Sequence, residues 1–358
     1  MNLRKPIALV VLLLAPCAEA RISAVLSCAD LYKRADAVVK GEVISVSDKG
    51  PAGPLRDSYV DENASKLGSN EFVAQFRVDR VISGTVPQSQ IDISFYGVSR
   101  AGINTGDLIQ LKPHEYVVLF LRQRNKGYAL IDLDNGKIAA SKHSVKSDAR
   151  GKEGIQEEFS ALYNESDPEL VKAGLRCTGE MGNASTILPD LRRLKDSKDP
   201  GIHLTSVAWL ARTGDIPAIK EIVSFLGSED FSRRSSERTP EHNQRLHDAI
   251  DALNSMGGLN NPAIAVLLTP LLKHADWGIR YSTLQALRGL KNPQTLPAIA
   301  PLLDDDHKEV QYHAIMAMCA IANPPNTMCP STPLFDRNPA KYVSDWKTWW
   351  KENQSKKP

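Results

Sequence analysis

Asp276 to Leu290 reads DWGIRYSTLQALRGL, and thirty-one residues further on His307 to Ile321 reads HKEVQYHAIMAMCAI. The two segments share a small residue (Thr283, Ala314), a large aliphatic directly after it (Leu284, Ile315) and another apolar residue three positions later (Leu287, Met318). Three earlier stretches fit the same columns: DPELVKAGLRCTGEM from Asp167, DPGIHLTSVAWLART from Asp199 and QRLHDAIDALNSM from Gln244. Their small residues are Gly174, Ser206 and Ala249, followed by Leu175, Val207 and Ile250 and then by Thr178, Leu210 and Leu253. The steps between small residues are 32, 43, 34 and 31. A period near thirty with helical spacing inside it indicates stacked helix pairs, in which small residues admit a neighbouring helix and aliphatics fill the groove beside them.

Four further segments read as the second helices of these pairs: ASTILPDLRRL, DIPAIKEIVSFL, NPAIAVLLTPLL and NPQTLPAIAPLL. Asp167, Asp199 and Asp276 stand where N-caps belong, with Pro168 and Pro200 suited to the first helical turn. With their recurrent early prolines and apolar i, i+3, i+4 positions, these pairs resemble HEAT repeats over about residues 165–322. The resemblance implies a right-handed α-solenoid of about five repeats whose surface holds a partner protein. The long step falls on GSEDFSRRSSERTPEHNQ, Gly227 to Gln244, which reads as a charged loop. Exposed first-helix positions Lys172, His203, Arg280 and Gln311 are the candidate interaction surface.

A solenoid must cover the apolar end of its last repeat. Near the C-terminus PAKYVSDWKTWWKEN places Tyr342, Trp346, Trp349 and Trp350 at i, i+4, i+7 and i+8, one stripe of a helix. The spacing predicts a C-terminal cap, with residues 323–353 as the capping segment.

The N-terminal half has a different period. AVVKGEVISV, FVAQFRVDRVI, QIDISFYGV, EYVVLFLRQ, GYALIDLD and GKIAAS are short β-branched and aromatic runs, several alternating, separated by Gly, Pro, Asn and Asp. They predict a small antiparallel barrel, because closure removes exposed edges. The interval from Asp48 to Asn70 carries no periodicity and reads as a long loop. SCADLYKRAD, ADAVVKGEVISV, FRVDRVISGTVP and EYVVLFL together resemble the OB-type barrels of netrin modules and tissue inhibitors of metalloproteinases. In those inhibitors the mature chain begins at a Cys that chelates the protease zinc; here Cys28 lies seven residues beyond the expected mature terminus and the partner cysteines are absent from the barrel. The resemblance therefore implies the fold and not the inhibition.

MNLRKPIALVVLLLAPCAEA has a short basic region, an apolar run and a small-x-small site at residues 18–20, the pattern of a signal peptide cleaved between Ala20 and Arg21. The rival reading, lipidation of Cys17 after Leu14-Ala15-Pro16, fits less well because Pro16 stands where such signals want a small flexible residue. The chain is thus expected to be exported, periplasmic or secreted, with no transmembrane segment after processing. The organisation reads as signal peptide 1–20, barrel 21–145, linker or first helix 146–164, solenoid 165–322 and cap 323–353. The full chain has a formal charge of +2, and removing Arg4, Lys5 and Glu19 with the signal leaves +1. That balance argues against nucleic acid, which calls for a basic stripe. Export permits disulfides. Cys319 and Cys329, ten apart across a Pro-rich turn, are the candidate pair, while Cys28 with Cys177 would have to join the two halves.

Catalytic signals are few. The eight histidines form no His-Glu-x-x-His, and no Cys-x-x-Cys, nucleophile elbow or phosphate loop occurs, so the reading expects no metal, no cofactor and no enzyme. Ser344-Asp-Trp-Lys347 matches a Ser-x-x-Lys spacing inside the aromatic stripe, without its supporting elements. Asp304-Asp305-Asp306 reads as capping acids, and His247 and His313 as packed or surface residues of first helices. The alternative to an interaction protein is an enzyme or ligand-binding protein with a site between barrel and solenoid, where Tyr96, His114 and His143 would converge.

Overall fold

The computed structural model describes residues 27–51, 69–98, 111–124, 127–131, 136–143, 145, 148–181, 184–231, 237–324 and 328–354. The signal segment with Ala20, Arg21 and Cys17, and most of the interval from Asp48 to Asn70, lie outside the described residues.

Helix α1 (Cys28–Arg34) opens on Ser27, whose hydroxyl accepts the Asp30 N–H. Six strands follow: β1 (Ala37–Pro51), β2 (Ser69–Ser83), β3 (Gln90–Val98), β4 (Tyr116–Gln123), β5 (Tyr128–Leu130) and β6 (Lys137–Ala139). The order β1-β2-β3-β5-β4 closes through a second pairing of β1 with β4, giving a five-stranded barrel with β6 added along β4. Pairing is antiparallel except between β3 and β5, which run parallel, so the barrel is mixed where an all-antiparallel one was expected. Register shifts along β1 bend it around the barrel. At one of them Gly41 is required, since a Cβ there would stand 1.8 Å from the Arg77 carbonyl oxygen.

The ends of the Asp48–Asn70 interval are strand and not loop. Asp48 pairs with Phe72 and Pro51 with Asn70, and the Asp48 carboxylate accepts from Asn70 Nδ2 and from the Gly50 N–H. From Ser47 to Lys49 the ribbon is exposed and buries no face. Alternation is a consequence of one-sided burial, so the sequence carried no periodic signal there.

The continuous apolar run of β4 is explained by burial on both faces. Val117, Leu119 and Leu121 face the barrel interior with Val39, Phe76, Ile93 and Phe95. Val118 and Phe120 face outward, onto Cys28 and Leu31 of α1 and onto Ile155 and Phe159 of helix α2 (Gly151–Ser160). Helix α2 and Leu162 after it are therefore an integral part of the barrel's outer core. Cys28 and Cys177 form a disulfide, their Cα atoms 5.2 Å apart, that ties α1 to the first repeat. Beside it Glu158 receives both Lys40 and Arg80, with Lys40 also donating to the His143 carbonyl at 3.0 Å.

The first helices of the repeats are α3 (Pro168–Glu180), α5 (Pro200–Arg212), α7 (Pro240–Met256), α9 (Trp277–Leu290) and α11 (Lys308–Ala322). Asp167, Asp199, Thr239 and Asp276 cap the first four through side-chain oxygens. The small-residue column Gly174, Ser206, Ala249, Thr283 and Ala314 is wholly buried. The second helices are α4 (Leu188–Leu194), α6 (Ile216–Ser228), α8 (Ala263–Leu268) and α10 (Leu296–Ile299). Only α6 is a full-length helix. Pro270 and Pro301 lack the N–H that would continue α8 and α10, and both segments finish in tighter 3-10 turns, Thr269–Lys273 and Ala300–Asp304. The charged stretch from Gly227 to Gln244 is only partly a loop, since α6 runs to Ser228 and Pro240 to Gln244 begin α7.

Helices α12 (Thr332–Arg337) and α13 (Pro339–Asn353) close the stack. Trp346 is completely buried and donates its indole N–H to the Met328 carbonyl at 2.7 Å, while Tyr342, Trp349 and Trp350 pack half-buried on the same core. Cys319 and Cys329, Cα atoms 5.9 Å apart, form a disulfide that staples the Met328 segment to α11.

Candidate interaction face

Of the four residues offered as an exposed surface, His203, Arg280 and Gln311 occupy one repeat position and Lys172 stands one residue further on; all four prove to be engaged. Arg280 is buried: it donates to the carbonyls of His274 and Ala275 at 2.9 Å and makes a two-pronged pair with Asp305 at 2.7 Å. Gln311 donates to the Asp305 carbonyl at 2.7 Å, and His203 bridges the Lys195 carbonyl and Glu221. Lys172 is buried and pairs with Glu169. Three of the four thus satisfy carbonyls in the turn that enters their own helix, where helix ends leave acceptors unmatched. The expectation of exposure is corrected for Lys172 and Arg280: long polar side chains bury their stems and put the head on a turn. Asp305 belongs to the same clamp. Burial acts to raise its carboxyl, and the Arg280 hydrogen bonds, the His307 N–H, Asp306 and the Arg280 charge together outweigh it, holding it below the usual aspartate value. Of its neighbours, Asp306 also meets Arg280 at 3.0 Å and Asp304 pairs with Lys347. The aspartate run is an ion-pair cluster more than a set of caps.

An open polar cleft of about 350 Å³ crosses three successive first helices. Helix α3 contributes Glu169, Lys172 and Arg176; the start of α5 contributes Asp199, Gly201 and Thr205; α7 contributes Glu241, Gln244, Arg245 and Asp248. Gly201 leaves room for the Lys172 stem, which would lie 3.0 Å from a Cβ. Asp248 is buried, accepting from Thr205 Oγ1 at 2.6 Å and from Gln244 Nε2 at 2.9 Å. Next to the cleft Trp209 lies flat on Gly179, where any Cβ would stand 2.3 Å from the indole, and Arg212 covers the ring at 4.2 Å. Glu180 accepts the Cys28 N–H, and burial pushes its carboxyl above the ordinary glutamate range. The sequence reading missed this cleft, although α7's charged first turn, Pro240 to Gln244, was visible as the insertion.

Of the three residues proposed for an interdomain enzyme site, the two whose side chains are described do not meet in a described cleft. His114 and His143 are both highly exposed, the first 3.6 Å from Glu42 and the second 3.0 Å from Glu165, and neither lines a described cleft. The Tyr96 side chain lies outside the described residues. His247 is exposed beside Asp251, whereas His313 is partly buried between Tyr281 and Tyr312, and burial lowers its pKa. Among the described residues no group of three or more His, Cys, Asp or Glu side chains is arranged to hold a metal ion.

The geometry defines a stacked-helix repeat protein with a β-barrel packed on its first repeat. Residues 248–325 match the family model for HEAT repeats. A search of curated proteins returns no match. Among solved structures, an engineered protein is similar at 18% identity over 56% of this chain and 90% of its own, with a TM-score of 0.35. A designed armadillo repeat protein in complex with a (KR)4 peptide is similar at 17% identity over 47% of this chain and 82% of its own, with a TM-score of 0.34.

Proposed function

We infer that this is an exported, non-enzymatic interaction protein that holds a partner protein on the first-helix face of its solenoid. The observation that carries the reading is the polar cleft spanning α3, α5 and α7, since a surface continuous over several repeats is what a stacked array offers and a single helix pair does not. The barrel supports it as a rigid brace, joined to the first repeat by the Cys28–Cys177 disulfide and itself pinned to α2 by the Lys40–Glu158–Arg80 cluster. Two bonded cysteine pairs fit an oxidising compartment, and no helix of the described residues is long and apolar enough to cross a membrane.

The test is photo-crosslinking in the native host, with a crosslinking residue placed at exposed first-helix positions Glu169, Glu241 and His247 or at exposed second-helix positions Arg192 and Lys220. A discrete adduct from the first set alone is expected. Adducts only from the second set, or none at all, refute the placement. The export part is checked by the mass of the recovered chain: loss of residues 1–20 is expected, whereas retention of Met1 to Ala20 refutes it and a lipid on Cys17 would replace cleavage at Ala20.

A further inference from the structure

Two guanidinium groups on the first-helix face have no hydrogen-bond acceptor among the described residues. Arg176 lines the cleft, and its nearest carboxylate oxygen, Asp248 Oδ1, is 3.9 Å from Nε. Arg212, the last residue of α5 and over the Trp209 ring, stands 3.7 Å from Asp251 Oδ2. In both, Nε is buried and unmatched. Asp248 is held in place by Thr205 and Gln244, one on each oxygen, and remains an ion-pair partner of Arg176 beyond hydrogen-bond distance. A third arginine, Arg245, lines the same cleft and among the described residues has only the His242 ring nitrogen as acceptor, at 3.2 Å. Buried polar groups are normally matched, and each exception asks for a reason. A guanidinium carries five N–H donors in a planar fork shaped for a carboxylate.

The other end of the cleft is already neutralised. Lys172 pairs with Glu169 and lies close to Glu241, whose carboxyl sits low through its own backbone hydrogen bond and Thr239, with a smaller contribution from Lys172. Asp199 caps α5 and Asp248 is held by Thr205 and Gln244, so the buried donor of the cleft left without an acceptor is Arg176 Nε.

We propose that Arg176 and Arg245, with Arg212 beside them, form a carboxylate-binding site that seats an acidic side chain or the C-terminal carboxylate of a partner polypeptide. The proposal rests on the interaction reading above and names the chemistry of the partner. An arriving carboxylate supplies the missing acceptors in a two-pronged, charge-assisted geometry, the strongest that arginine makes.

The experiment is calorimetric titration of the full chain with three short peptides. The first alternates Glu and Ser and is blocked at both ends, the second replaces each Glu by Gln, and the third is the Gln peptide with a free C-terminal carboxylate. Binding of the first or third and not of the second is expected, and which of the two binds assigns the carboxylate to a side chain or to the chain end. Arg176→Gln and Arg245→Gln should each weaken that binding about tenfold or more, the worth of a charge-assisted pair. Arg192→Gln, on the second-helix face, should leave it unchanged. Equal binding of the Gln peptide, binding indifferent to Arg176→Gln, or no binding of either carboxylate peptide overturns the proposal. Melting of each variant alongside the parent ensures that a loss is not unfolding. Failure here with crosslinks still confined to the first-helix face would remove the carboxylate chemistry alone, whereas loss of those crosslinks would remove the interaction reading itself.

Discussion

Replacing Gly289 by alanine tests the repeat packing at a point where nothing can give. A Cβ on Gly289 would lie 2.2 Å from the Gly257 carbonyl oxygen, 2.7 Å from its carbon and 2.8 Å from its Cα. All three are backbone atoms at the end of α7, so relief requires α9 to move away from α7 by about an ångström to reach ordinary contact near 3.4 Å. That displacement opens the seam at Ala286, Leu287 and Leu290, all buried. Alanine in a helix gains about 1 kcal/mol over glycine, and forcing atoms into a packed interface costs about 1 to 3 kcal/mol, with the opened seam adding more. The net expectation is a loss of about 1 to 3 kcal/mol, with a fall in melting temperature of about 2 to 4 °C for each kcal/mol. Gly227→Ala is the matched control, because its Cβ would meet only the Leu271 side chain at 3.9 Å. With no clash to offset the helix gain, that substitution should stabilise by about 0.4 to 1 kcal/mol. Urea unfolding followed by tryptophan fluorescence and far-ultraviolet dichroism measures both. Equal stability of Gly289→Ala and the parent, or a loss in Gly227→Ala, would refute the close crossing of α7 and α9.

Arg280→Ala should cost about 3 to 5 kcal/mol, since it strands the buried Asp305 carboxylate. Asp305 is depressed below 3.8 in the folded chain, so its contribution is present above pH 3.8 and is lost as pH falls through the lower folded value; in Arg280→Ala that acid-side slope should vanish when stability is measured against pH. Trp346→Ala should cost about 3 to 5 kcal/mol, more than Trp349→Ala, which truncates a half-buried ring without an indole hydrogen bond to Met328; similar losses in urea would contradict α13 as an end cover pinned by Trp346. The double substitution Cys28→Ser with Cys177→Ser should lower stability by about 2 to 5 kcal/mol, and adding dithiothreitol to the parent should lower it at least as far, since the reagent also opens Cys319–Cys329; a melt unchanged by the substitution would show that the bridge does not brace the barrel.

What the sequence displayed was the part of the fold governed by close packing. The small and aliphatic columns of five helices are visible because a neighbouring helix leaves no other choice at Ser206, Ala249 or Ala314. The strands of the barrel were visible wherever one face is buried, as at Phe72, Ala74, Phe76 and Val78. Hidden were features set by relations across the chain. The exposed ribbon from Ser47 to Lys49 has no buried face to impose a pattern. Arg280 read as an exposed charge because its partner Asp305 lies 25 residues on, and the buried Lys40–Glu158 pair spans 118 residues. The second helices looked uniform, yet Pro270 and Pro301 shorten two of them.

The cleft follows from a mismatch of helix lengths. In α3, α5, α9 and α11 the buried small residue stands seven positions after the N-cap; in α7 the distance from Thr239 to Ala249 is ten. Three added residues lengthen α7 at its N-terminus by about 4.5 Å. Helices in register stack flush, and one that overshoots its neighbours leaves a step. Glu241 and Gln244 stand on that step, above the starts of α5 and α3, and the space beneath them is the cleft lined by Arg176, Thr205 and Asp248. Since α9 and α11 carry no such extension, their starts are covered instead by the Arg280 clamp and the ring of Trp277 stacked on His307. The same insertion that broke the thirty-residue period therefore accounts for where the solenoid opens, and it places the unmatched arginines beside the one helix, α3, that the disulfide fixes to the barrel.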